Sequence, residues 1–138
     1  MNTFLKSKEH LEECGIKPSL QRIAIMEYLM THFTHPTADE IFNDLYPSIP
    51  TLSKTTVYNT VKLLAEHNAV LTLNIDEKNV HYDGNTSKHA HFRCKHCGCI
   101  YDIPIYDIQV HHKEEDTENF TITDTQLYYK GFCKRCKN

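Results

Sequence analysis

Two CxxC pairs constrain this chain more than any other feature: Cys94-x-x-Cys97 and Cys133-x-x-Cys136, with 35 residues between them. Each pair places two thiols on one turn, and two such turns close a tetrahedron around zinc at sulfur distances of roughly 2.3 Å. A metal held this way ties the start of a segment to its end. The segment from 89 to 138 is small enough that its apolar residues alone make a marginal core. Zinc bound there is folding energy. An Fe–S cluster or a redox dithiol is the alternative use of the same four thiols. Cys99 is a rival ligand with a less suited CxC spacing, and Cys14 reads as a small buried apolar residue in a helix.

The first part of the chain reads differently. Leu5–Cys14 is a modest helix ended by Gly15. Pro18 and Ser19 open a second helix over LQRIAIMEYLM, whose apolar residues recur at helical spacing. Thr37 with Glu40 three residues on is a capping box for a third helix. Ser53 caps a fourth, SKTTVYNTVKLLAEHNAV, with Val57, Val61, Leu64 and Ala65 on one face and Asn68 as a stop. Leu71–Ile75 and Val80–Tyr82 read as the strands of a hairpin that turns at Asp76–Asn79. Four helices followed by a two-stranded wing fit a winged helix-turn-helix.

The composition shifts at DGNTSK. The expected organisation is therefore α+β: a winged helix-turn-helix domain over residues 1–82, a hinge at 83–88, and a small α/β domain over 89–138. In the second domain we expect strands at His89–Phe92, Ile100–Asp102 and Leu127–Lys130. A short helix is expected within Ile105–Asn119, a further strand from Phe120, and knuckle turns at Gly98 and Gly131.

A second set of donors is harder in character. His89 and His91 alternate on a strand and so share a face. Asp83 stands before the linker, Asp102 after the next strand, and His35 just before the third helix. Three imidazoles and two carboxylates suit Fe(II), Mn(II), Co(II) or Zn(II). His10, His32, His96, His111 and His112 read as solvated.

Bulk charge argues against a simple nucleic-acid domain. Residues 1–80 carry 7 Lys and Arg against 10 Asp and Glu, and residues 81–138 carry 8 against 8. DNA binding would rest on a local patch. The exposed side of the fourth helix is that patch. Ser53, Thr55, Thr56, Tyr58, Asn59 and Lys62 are its candidates, with Lys54 and Lys62 on phosphates. Arg22 is placed on the DNA backbone from the second helix, and Lys17 or Lys8 toward the minor groove. A polar N-terminus and the lack of a long apolar run lead us to expect a cytoplasmic protein.

Five stretches carry a resemblance: SLQRIAI (Ser19–Ile25), HPTADEIF (His35–Phe42), SKTTVYNTVKLL (Ser53–Leu64), YDGNTSKHAHFRCKHCG (Tyr82–Gly98) and GFCKRC (Gly131–Cys136). In this order they resemble the ferric uptake regulator family of bacterial metal-dependent repressors. The resemblance implies that the second domain dimerises. It implies a structural zinc on Cys94, Cys97, Cys133 and Cys136, and a regulatory Fe(II) or Mn(II) on His35, Asp83, His89, His91 and Asp102. It also implies A·T-rich inverted-repeat operators in double-stranded DNA.

Aspartates at 83 and 102, with the Thr56-Val57-Tyr58-Asn59-Thr60 helix, are most similar to the peroxide-sensing members. In those, oxidation of a ligating histidine releases the repressor. The alternative is an iron-availability repressor without peroxide sensing. Two departures stand out. Ser19-Leu20 replaces the usual Thr-Pro. A further site found in many iron-responsive members meets Ala90 and Asp124-Thr125 here, so we expect that site to be absent or altered.

Other classes fit less well. A zinc enzyme built on His89, His91 and Asp83 lacks an HExxH arrangement. A zinc-stabilised protein-interaction module draws its support from the acidic N-terminal half. We read the chain as a regulator with no catalytic residues.

Overall fold

Each of the first four helices begins at a side-chain cap. Asn2 accepts the Leu5 N–H at 2.8 Å and opens α1 (Thr3–Glu13). Ser19 accepts from Arg22 and opens α2 (Leu20–Thr31). Thr37 and Glu40 form the reciprocal capping box of α3 (Ala38–Leu45). Ser53 caps α4 (Lys54–Glu66). These caps satisfy N–H groups that have no partner inside the helix. At the far end of α4, Asn68 turns left-handed (φ 59°) and the Ala69 N–H reaches back to the Leu64 carbonyl at 2.8 Å. That is a Schellman stop, and asparagine tolerates the backbone it needs.

The computed structural model describes residues 2–136 and divides between Ser87 and Lys88 into two units. In the first unit, α1 to α4 pack around Leu11, Ile25, Met26, Leu29, Ile41, Val57, Val61 and Leu64, all with no exposed surface. The wing follows as β1 (Leu71–Leu73) and β2 (His81–Asp83), antiparallel with Leu71 opposite Asp83. It is fastened to the segment before α3 by a bridge between Thr37 and His81. The Tyr82 N–H also bonds the Pro36 carbonyl at 2.9 Å.

The second unit is a three-stranded sheet in the order β4-β3-β5. β3 (His89–Cys94) pairs antiparallel with β4 (Ile100–Pro104) and parallel with β5 (Tyr128–Gly131). The α+β class expected from the sequence is the observed one.

Three expectations fail in this unit. The helix within Ile105–Asn119 shrinks to one turn, α5 (Glu114–Thr117). The stretch from Phe120 to Asp124 is irregular instead of a strand, and Gly131 ends β5 instead of lying in a turn. The first two share a cause. Tyr106, Val110, Phe120 and Ile122 are 95, 65, 70 and 62% exposed. An amphipathic element is stabilised mainly by burying its apolar face, and this segment buries none. In the first unit, His10 is half-buried instead of solvated, whereas His32 is exposed as expected. His10 bonds the Ala69 carbonyl, and His32 stacks on Tyr28. Cys14 is the C-cap of α1 and only half-buried.

Candidate metal centres and the exposed face of α4

The thiol centre lies wholly within the second unit. Parallel pairing of β3 with β5 sets Cys94 opposite Gly131, so both CxxC turns leave the same end of the sheet. After Cys94 the chain reverses in a knuckle. The Gly98 N–H bonds the Cys94 carbonyl at 2.9 Å, and the Cys94 N–H bonds the Cys99 carbonyl at 3.0 Å. Gly98 has φ +77°, a region that side-chain-bearing residues rarely enter.

The four sulfurs of Cys94, Cys97, Cys133 and Cys136 converge within 4.8 Å of one another. Cys97 Sγ and Cys133 Sγ are 3.8 Å apart. Thiolates on one tetrahedral zinc are separated by about that much, given Zn–S bonds near 2.3 Å. Backbone N–H groups of Cys133 and Cys97 point at the Cys94 sulfur, at 3.4 and 3.5 Å, and pull its thiol down to about 5. The Cys133 sulfur beside Cys136, with burial added, pushes that thiol up to about 12. Four thiols this close cannot all ionise without a cation among them, so the donor set fits zinc. Cys99 stays outside the cluster, exposed, with its sulfur 3.8 Å from the Arg135 guanidinium.

The imidazole and carboxylate donors form one group in each unit. In the first unit, His35 and Asp83 are both buried, with His35 Nε2 3.5 Å from Asp83 Oδ2. Asp83 is the last residue of β2, and its other oxygen accepts the Asn85 N–H at 2.9 Å. Gly84 lets this turn press on α2, because a Cβ there would sit 2.3 Å from the Leu29 carbonyl oxygen. His35 itself is left-handed at φ 59°, uncommon outside glycine and costly by about 1 kcal/mol or more.

In the second unit, β3 and β4 set His91 directly opposite Asp102. Asp102 Oδ1 lies 3.2 Å from His89 Nε2 and 3.4 Å from His91 Nε2. The two rings are 4.4 Å apart between centroids. Two imidazoles and a carboxylate on one sheet face form a donor set that suits a divalent first-row metal. Ala90, between the histidines, is buried and offers no donor.

On α4, Val57, Thr60, Val61 and Leu64 face the core, and Lys54, Thr55, Tyr58, Asn59 and Lys62 are exposed. Ser53 spends its hydroxyl on the cap and on Thr56, which is half-buried. Arg22 donates to the Lys17 carbonyl at 2.8 Å, while the Lys17 side chain is exposed. Lys54 lies 5.8 Å over the Phe42 ring. Tyr58, half exposed, donates to Asp39 at 3.2 Å, and that carboxylate holds its phenol above the ordinary range. Sequence reasoning missed both Asp39 and His81. Both are polar residues on regular elements, and nothing local marks them as anything but solvated.

The ferric uptake regulator family model matches residues 13–130. The peroxide-responsive repressor of Staphylococcus aureus is 31% identical over 147 aligned positions, covering all of this chain and 99% of that protein. The Helicobacter pylori ferric uptake regulator, described as having three functional metal-binding sites, shares the fold. It has a TM-score of 0.70 at 20% identity, over 99% of this chain and 92% of that one. The peroxide-sensing repressor of Streptococcus pyogenes matches at TM-score 0.54 and 28% identity, over 99% and 94%. The chain belongs to the ferric uptake regulator family. It is a metal-dependent transcriptional repressor, not an enzyme. No helix among the described residues is long and apolar enough to cross a membrane.

Proposed function

We propose that the chain represses transcription as a homodimer on A·T-rich inverted repeats, gated by one divalent cation shared between its two units. The cation would be held by His35, Asp83, His89, His91 and Asp102. The observation that carries this reading is the chemistry of the two donor groups. His35 with Asp83 offers two donors, His89 and His91 with Asp102 offer three, and each group sets imidazole nitrogens beside a carboxylate. A cation binding both groups favours one arrangement of the units over others, which is how a ligand biases a conformational equilibrium. Recognition helices in a dimer must meet half-sites at a fixed spacing, so that bias controls DNA affinity.

In this reading the first unit is the DNA-binding domain. Ser53, Lys54, Thr55, Thr56, Tyr58, Asn59 and Lys62 meet the duplex with Arg22 and Lys17. The second unit, stapled by zinc on Cys94, Cys97, Cys133 and Cys136, is the dimerisation domain. Its exposed Tyr106, Val110, Phe120 and Ile122 are the apolar side chains that a second copy would cover.

Bound Fe(II) would supply the redox chemistry by which peroxide adds one oxygen atom to a ligating imidazole, with water as the other product. His35 and His91, both buried beside a carboxylate, are the rings we assign to it. An oxidised ring is a poorer donor and lowers the affinity that holds the repressing state. The test is operator binding with Mn(II), Fe(II) and Zn(II), each with and without peroxide, followed by mass spectrometry. One added oxygen on the His35 or His91 peptide, with loss of DNA binding in the iron form alone, is the expected result. Oxidation confined to Met or Cys, with binding intact, leaves an iron-availability repressor using the same ligands.

A further inference from the structure

His81 belongs to neither donor group, yet its ring is only 13% exposed and is engaged at both nitrogens. Nδ1 lies 2.6 Å from the His35 carbonyl oxygen, and Nε2 lies 2.9 Å from Asp76 Oδ2. A carbonyl only accepts, so Nδ1 donates to His35, and Nε2 faces the Asp76 carboxylate. Asp76 is itself fixed in the hairpin turn, where its other oxygen accepts the Lys78 N–H at 2.9 Å. His35 sits in a left-handed backbone conformation that persists only where neighbours enforce it. The Tyr82-to-Pro36 bond and the Thr37–His81 bridge hold the following residues, and the His81 ring holds the carbonyl of His35 itself.

We infer that His81 is a positioning residue for the regulatory metal. It locks the His35 backbone so that the imidazole is presented ready to bind, and it links that ligand through Asp76 to the turn of the wing. The inference rests on the reading of His35 as a ligand. Residues that orient ligands in this way typically cost about 10–100-fold in metal affinity when removed. Because the lock acts on the backbone of His35, the donor that matters is Nδ1. An asparagine amide can replace Nδ1, whereas a glutamine amide replaces Nε2.

The experiment measures Mn(II) affinity of the full-length zinc-loaded protein by the electron paramagnetic resonance of free Mn(II), with circular dichroism to confirm folding. His81→Gln should weaken Mn(II) binding by about tenfold or more. His81→Asn should stay within about threefold of the natural protein, and Asp76→Ala should fall between them. His35→Ala is the control for the underlying reading. If it leaves Mn(II) affinity unchanged, His35 is not a ligand and the inference falls with it. If His35→Ala weakens binding but His81→Gln and Asp76→Ala do not, the inference alone is overturned. Equal weakening by His81→Asn and His81→Gln also overturns it, since the ring would then merely fill space. Should His81→Gln fail to fold, Asp76→Ala and His81→Asn carry the same decision.

Discussion

In the first unit Leu11, Ile25, Met26, Leu29, Ile41 and Leu64 are fully buried around four capped helices. In the second, Ala90 and Cys94 are the buried apolar side chains among the described residues, and Tyr106, Phe120 and Phe132 are largely exposed. One region is held by the removal of large side chains from water, the other by a sulfur cluster at the end of three short strands. The difference teaches where control can be placed. A region stabilised by a metal and a partner surface, as proposed for the second unit, would respond to both, whereas an apolar core responds to neither.

The strongest way to break this comparison is to remove the zinc. Cys94→Ser or Cys133→Ser should abolish the ordered amide signals of the second unit, since structural zinc in small units contributes on the order of 10 kcal/mol. The helical signals of the first unit should survive. Loss of both together, followed by nuclear magnetic resonance, would show that the units do not fold separately. The converse change is Leu64→Ala, which should cost about 2–5 kcal/mol of first-unit stability in denaturant while leaving zinc content unchanged.

Acid sharpens the contrast within the thiol cluster. Cys136, pushed up to about 12, must give up a proton when zinc binds, whereas Cys94, pulled down to about 5, is already a thiolate at neutral pH. Lowering pH therefore weakens zinc binding, by about tenfold per pH unit for each proton released. A competition titration with a chelator between about pH 6 and 8 measures the slope; a flat profile would mean the cluster is already fully ionised without metal.

On the DNA side, Lys62→Glu should weaken operator binding and flatten its salt dependence by about one unit of slope. An unchanged slope in a gel shift at two salt concentrations would remove α4 as the reading face. The smallest effect belongs to the capping box. Thr37→Ala should cost about 1 kcal/mol in thermal unfolding of the first unit, and leave the second untouched.

Much of this was legible locally. The caps at Ser19, Thr37 and Ser53, the stop at Asn68 and the alternation of His89 with His91 each follow from residues a few positions apart. The two CxxC pairs marked themselves as one four-thiol set by spacing, although the parallel β3–β5 pairing that brings them together is long-range. The errors of secondary structure fell mainly in 105–124, where an amphipathic pattern has no surface to bury within its own chain, and those at His10, Cys14 and Gly131 reflect long-range packing.

The sequence by itself determined the helix caps, the donor types and the spacing of the thiol pairs, because caps, periodicity and ligand chemistry act over a few residues. Only the tertiary structure decided that His81 grips the carbonyl of His35, that Asp39 holds Tyr58, and that Gly84 brings the Asp83 turn against α2. Those contacts join residues 19 to 55 positions apart. No local pattern encodes them, since the packing of whole elements sets which polar groups meet.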